Sequence, residues 1–275
     1  MRIFRGAALA ALLLAVPAGS HAGAPDPFPS IAASYLVRLN GTTLWAHEPE
    51  RPLPPASLTK IMTALLTLES GRLDEVATVS SAAARETGSR LGLLPGDRMR
   101  VKDLLAATVI GSANDAAHAL AEHLAGSERE FVRQMNQRAK ALGMRGTRYA
   151  NATGHDHPGL RATSADLARL AAAAMSDDRF VRLAAAVRTE VRTADGGRVF
   201  RLENKNELVG RYPGAVGVKS GYTREAGACL VAAVLRGEDR VLLVLLNAGN
   251  RWWDAEVVMD KAFREAQRTR KGGSQ

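Results

Sequence analysis

Strand-like periodicity occupies both ends of this chain and helical periodicity its middle, and that order leaves few ways to build one core. Near the start, residues 32–39 and 42–47 are two apolar-leaning runs separated by Asn40-Gly41, a pair suited to a tight β-hairpin turn. Near the end, residues 215–219, 228–235 and 240–246 are rich in Val and Leu and are separated by turn residues, Arg236-Gly237 among them. A shorter pair, 190–193 and 198–202, flanks Asp195-Gly196-Gly197. Between these regions the apolar spacing is helical. It predicts a helix from about Ala56–Ser57 to Ser70-Gly71, helices over 101–110, 115–124, 128–142 and 164–175, and a last one over 252–267. Ser164 reads as the N-cap of its helix. The pattern implies an α+β fold in which one antiparallel sheet is assembled from both chain ends and flanked by helices, with a helical subdomain inserted.

The first residues stand apart from that core. Arg2 and Arg5, the apolar run 6–18 and the small-x-small site Ser20-His21-Ala22 have the layout of a secretory signal peptide. Cleavage is expected between Ala22 and Gly23, leaving residues 23–267 as one domain and 268–275 as a basic flexible tail. The apolar run is too short to span a bilayer, and no other stretch is long and apolar enough to do so. The mature chain is therefore expected to be exported, with no transmembrane segment, soluble or loosely envelope-associated. Its only cysteine, Cys229, sits in an apolar run and reads as core filling, so no disulfide framework is expected. The net charge is +9, or +7 once Arg2 and Arg5 are removed. The basic residues are scattered among acids and aromatics are few, which argues against a nucleic-acid partner and for an anionic envelope polymer.

Three short strings carry the chemistry. Ser57-Leu58-Thr59-Lys60 places a hydroxyl and an amine three residues apart on one face of a helix start. A serine is a weak nucleophile until a base takes its proton, and a lysine becomes a base when burial or a second cation lowers its pKa. Lys219, in Lys219-Ser220-Gly221, can be that second cation for Lys60. The free N–H groups of a helix start favour developing negative charge, so the Ser57 N–H is a natural half of an oxyanion hole. The Tyr222 N–H is a candidate for the other half, and Gly221 is expected to let a substrate backbone lie close to the strand. Ser112-Ala113-Asn114 falls between two predicted helices, where a loop can enter a cleft and add a hydroxyl and an amide to the proton path.

Taken in this order, the strings resemble those of the low-molecular-mass penicillin-binding proteins, the serine-type D-alanyl-D-alanine carboxypeptidases. The likeness runs from about Ile31 to Phe263. It includes the stretch from Pro55 to Ala64, Leu94-Pro95-Gly96-Asp97, Ser112–Ala117, Ala139–Met144, Arg211-Tyr212-Pro213-Gly214 and Gly217–Thr223. The resemblance implies a β-lactamase/transpeptidase-like fold, Ser57 as acyl-ester nucleophile and Lys60 as its proton acceptor. It further implies Ser112 and Asn114 in proton relay and substrate contact, with Lys219, Ser220 and Arg251 receiving the substrate's terminal carboxylate. The implied substrates are peptidoglycan stem peptides ending in D-Ala-D-Ala, with β-lactams as covalent inhibitors and no cofactor. Ser220 stands where the family usually has Thr. Many relatives continue into a β-rich domain and an amphipathic anchor, and this chain resembles the shorter members, some of which are endopeptidases.

Other chemistries fit less well. His118 to His123 is one residue off the HExxH spacing of zinc hydrolases, and His155 and His157 read as solvated loop residues, so no metal ligand set is expected. A β-lactamase of the SxxK type needs a water-activating Glu, usually in an ExxxN string, and no Glu here has Asn four residues later.

Overall fold

The structure, a computed structural model, describes residues 26–272, with side chains as far as residue 270. The predicted signal peptide lies outside the described residues. Strands β1 (Ala32–Leu39) and β2 (Thr42–His47) open the fold and meet at Asn40 and Gly41, whose φ values of 52° and 87° are those of a type I′ turn. A 3₁₀ turn over Ala56–Thr59 then leads into helix α1 (Lys60–Glu69). The short strand β3 (Val76–Thr78), the single turn α2 (Ser81–Ala84) and strand β4 (Arg98–Arg100) follow, with β3 and β4 paired antiparallel. Helices α3 (Val101–Val109), α4 (Asn114–Ala125), α5 (Glu128–Ala141), α6 (Ser164–Met175) and α7 (Asp178–Ala185) complete the middle. Strands β5 (Arg188–Arg192) and β6 (Val199–Glu203) form a separate ribbon, and β7 (Ala215–Thr223), β8 (Gly227–Arg236) and β9 (Asp239–Ala248) return to the main sheet before helix α8 (Arg251–Gly272).

The main sheet has the order β2-β1-β9-β8-β7, antiparallel throughout. Its chain ends meet where β1 pairs with β9, Leu36 opposite Val244. Alternate side chains of each strand serve different cores. Tyr35, Val37, Leu230, Ala232, Leu243 and Leu245 pack on Ala255, Val258, Met259 and Phe263 of α8. Leu36, Val231, Ala233, Val244 and Leu246 join the larger core built with the central helices. A strand covered on both faces needs no polar alternation, which is why β8 and β9 read as continuous apolar runs.

Several local expectations shift. The cap of α6 is Thr163, not Ser164: Thr163 Oγ1 accepts from the Asp166 N–H, and Ser164 is buried, its hydroxyl 2.8 Å from that of Ser34. The last helix continues beyond Gln267 to Gly272, and within it Arg270 pairs with Asp239. Stretches 76–100 and 143–163 hold strands, turns and loops within the region that reads as mostly helical. Cys229 is fully buried and its thiol is pushed up to about 11 by burial. Among the described residues no helix is long and apolar enough to cross a membrane.

Candidate active site

The chain turns sharply into Ser57. Ala56 has a φ of +49°, left-handed for a residue with a Cβ, which costs roughly 1–2 kcal/mol. Two glycines press against this turn. A Cβ on Gly154 would lie 2.0 Å from the Ala56 carbonyl oxygen, and one on Gly221 would lie 2.8 Å from the Ser57 nitrogen. Gly221 thus makes room for the nucleophile's own backbone, in addition to any substrate lying along β7.

Lys60 follows one turn later and is fully buried. Its Nζ lies 3.1 Å from Ser57 Oγ and donates to Asn114 Oδ1 and to the Thr153 carbonyl, each at 2.5 Å. Thr153 was not foreseen from the sequence, since a backbone carbonyl carries no residue signature. A neutral amine has two N–H groups and one lone pair. When Lys60 is neutral and both N–H groups are held by these carbonyl-type acceptors, its lone pair faces the Ser57 hydroxyl. Burial and, second, the charge of Lys219 hold the Lys60 pKa well below its ordinary value, while Glu86 and Asp115 oppose them.

Asn114 is the first residue of α4, and its side chain does not cap that helix. Its Oδ1 faces Lys60, and its Nδ2 donates to the Thr87 carbonyl at 2.6 Å. His155 Nε2 lies 3.2 Å from the same amide and 2.9 Å from Glu86 Oε2. His155 is therefore not a free loop histidine: Gly154, with φ +90°, turns the loop inward and the Glu86 carboxylate holds the ring. His157 remains exposed and accepts only from the nearby Gly159 N–H among the described contacts. Ser112 is buried with a φ of +59° in the turn between α3 and α4. No hydrogen bond joins it to Ser57, Lys60 or Lys219 among the described residues, so the structure places it in the neighbourhood without linking it to the pair.

The second wall is β7, the edge strand of the sheet. Lys219 is buried and its Nζ donates to the Ser220 carbonyl at 3.1 Å. Its pKa falls to about 7, from burial first and then the charges of Arg251 and Lys205. Ser220 Oγ donates to the Lys205 carbonyl at 2.7 Å. Arg251, at the start of α8, reaches back and donates to the Gly221 carbonyl at 2.8 Å, so the cation at the helix start and the strand form one unit. The Tyr222 side chain is exposed, and its backbone lies in the β7–β8 ladder opposite Ala228.

A half-buried Ser57 beside the buried Lys60 at a helix start, opposite an edge strand that bears Lys219 and is reached by Arg251 from α8, is the arrangement of the serine-acylating D,D-peptidase class. The sequence pattern described as D-alanyl-D-alanine carboxypeptidase, peptidase S11, matches residues 25–250, and the chain belongs to this family. The chain is 38% identical over 243 residues to the D-alanyl-D-alanine carboxypeptidase DacF of Bacillus subtilis, an alignment covering 85% of this chain and 62% of DacF. It thus spans less than two thirds of that relative's length. Among solved structures it superposes on the Streptomyces K15 DD-transpeptidase with a TM-score of 0.81 at 29% identity, covering 88% of this chain and 100% of the other. It also superposes on penicillin-binding protein D2 of Listeria monocytogenes, solved in its ampicillin-bound form, with a TM-score of 0.76 at 32% identity, covering 87% and 100%.

Proposed function

We propose that this chain is an exported serine D-alanyl-D-alanine carboxypeptidase acting on peptidoglycan stem peptides through an acyl-enzyme on Ser57. One observation carries the reading. Lys60 is buried, is held by two carbonyl oxygens and sits 3.1 Å from the Ser57 hydroxyl, so the base is already oriented on its nucleophile.

An extended stem peptide adds along the free edge of β7, a mode that uses main-chain hydrogen bonds. Its terminal carboxylate is met by Lys219, Ser220 and Arg251. Ser57 Oγ bonds to the D-alanyl carbonyl carbon as Lys60 takes the hydroxyl proton, and the Ser57 and Tyr222 N–H groups receive the oxyanion. As the C–N bond breaks, that proton passes to the leaving amine by way of the Ser112 hydroxyl once substrate fills the site, while Asn114 keeps Lys60 in place and contacts the substrate, and free D-alanine departs. Water then attacks the ester carbonyl, gives its proton to Lys60, and restores Ser57. Cleavage of cross-links uses the same residues and bond type, so a D,D-endopeptidase is the second reading. Residues 1–22 act as the export signal in both, placing residues 23–267 outside the cytoplasm.

β-Lactams carry a carboxylate beside a strained amide and fit the same groups. Penicillin is expected to add one adduct by intact mass, absent in Ser57→Ala; an adduct surviving that substitution overturns the assignment. Incubation with monomeric and with cross-linked muropeptides then separates the two readings. Release of D-alanine from monomers supports the first, and cleavage of dimers alone supports the second.

A further inference from the structure

Near enough to Lys60 for Glu86 to act on its charge lies a cluster of carboxylates and imidazoles that the mechanism does not use. Glu86 follows α2, His118 lies on α4 and Glu128 begins α5, and one donor atom from each lies within 4.8 Å of the others. Glu86 Oε1 is 2.6 Å from His118 Nδ1. Glu122, one helical turn past His118, brings Oε1 to 3.4 Å from Nε2. Three carboxylates thus surround one imidazole in a half-buried pocket, the Glu86 and His118 side chains being only 15% and 12% exposed.

This pocket sets three carboxylates, Glu86, Glu122 and Glu128, against two imidazoles, His118 and His155. Among the described residues, Glu86 and Glu122 have ion pairs with histidines only, and Glu128 has none. No lysine or arginine pairs with any of the three, although the chain as a whole carries a charge of +9. Partly buried carboxylates need a counter-charge. One imidazole nitrogen with two carboxylate oxygens suits a borderline divalent ion such as Zn²⁺. It offers too few oxygens for Ca²⁺.

We propose that Glu86, His118 and Glu128 form a divalent transition-metal site that takes Zn²⁺ and straps the walls of the Lys60 pocket together. The ion replaces the proton shared by His118 Nδ1 and Glu86 Oε1, since ligands bind metal in their deprotonated forms. Glu86 Oε2 stays with His155. Each ligand belongs to a segment that holds Lys60 in place. The residue after Glu86 is Thr87, whose carbonyl holds Asn114. His118 lies one turn after Asn114 on α4. Glu128 Oε1 accepts from the Ala152 N–H at 2.9 Å, next to the Thr153 carbonyl that binds Lys60. The ion touches none of the reacting atoms, so its role is structural. No ligand spacing in the sequence announces the site, because its three residues come from three separate segments.

The test uses untagged protein spanning residues 23–275, stripped with a chelator and then dialysed. Calorimetric titration with Zn²⁺ is expected to show one ion per chain, and thermal unfolding a Tm raised by Zn²⁺, as follows for any ion bound only by the folded state. His118→Ala and Glu128→Gln are each expected to weaken Zn²⁺ binding by at least about tenfold, since loss even of an outer partner costs 10–100-fold. Glu128→Gln keeps an amide oxygen for the Ala152 N–H and decides the matter if His118→Ala does not fold. His157→Ala, on the exposed part of the loop, is expected to bind like the parent. The proposal is overturned if the parent protein binds no Zn²⁺, if a folded ligand variant keeps the parent affinity, or if His157→Ala loses it.

Discussion

In the proposed mechanism Lys60 and Lys219 do opposite things with the same functional group, and their surroundings decide which does what. Lys60 must be neutral to accept a proton, whereas Lys219 must be charged to meet a carboxylate. Lys60→Arg keeps a cation that cannot be deprotonated. Acylation by penicillin is expected to fall by at least the roughly 10²–10⁴-fold that general-base catalysis supplies, and near-parent acylation rates would defeat the base assignment. Because the residue is fully buried, the larger guanidinium is also expected to lower stability by about 1–3 kcal/mol. Both lysines shape the pH profile. If Lys60 is the base, its protonation is expected to give kcat/KM an acid limb. Lys219, with a free-enzyme pKa about 7, loses its charge as pH rises. Carboxylate binding favours the charged form, so capture is strongest below that pKa and weakens as pH passes above it. Lys219→Arg, which stays protonated, is expected to remove the alkaline limb and leave the acid one; a limb unchanged in that variant assigns it to another group.

At the scale of elements, the turn at Ala56–Ser57 is held in a left-handed conformation by two glycines from distant strands and loops. Gly221→Ala puts a methyl group 2.8 Å from the Ser57 nitrogen, and either β7 or the turn must move. Displacements near 1 Å cost about 10²-fold in well-aligned reactions. Acylation is therefore expected to drop by about that factor while circular dichroism stays that of the parent, and an unimpaired Gly221→Ala would show that the turn is more yielding. The helices and most strands of the main sheet were legible from periodicity, because each keeps its apolar face along its own length. The short β3–β4 pair was not, being three residues per strand and held by its neighbours. The α6 cap moved from Ser164 to Thr163 because Ser34 and Pro49 claim the Ser164 hydroxyl, a partnership no local pattern records.

For the molecule as a whole, β1 and β9 join the two ends of the chain, and β8 lies between β9 and the edge strand that bears Lys219. Cys229 on β8 reports on this closure. It is fully buried with its thiol pushed up to about 11, so a thiol reagent reaches it only when the sheet opens. Labelling at pH 8 is expected to be slow in native buffer and to accelerate with denaturant in step with loss of secondary structure. Fast stoichiometric labelling of the native protein would mean that β8 opens locally and that the sheet does not behave as one unit.

What the sequence determined by itself is local or periodic. Ser57 and Lys60 share a face because a helix start brings positions three apart together, Asn40-Gly41 turns a hairpin because both positions tolerate positive φ, and the runs in β8 and β9 are strands whichever partners cover them. The order of the three motifs was enough to indicate the family. Tertiary structure decided the rest. The Thr153 carbonyl that fixes a proton of Lys60, the Glu86 that converts His155 from a solvated residue into a clamped one, and the burial and neighbouring cations that depress Lys219 all come from remote segments. Hydrogen bonds, burial and Coulomb interactions depend on distance in space, and a linear sequence contains those distances only through the fold.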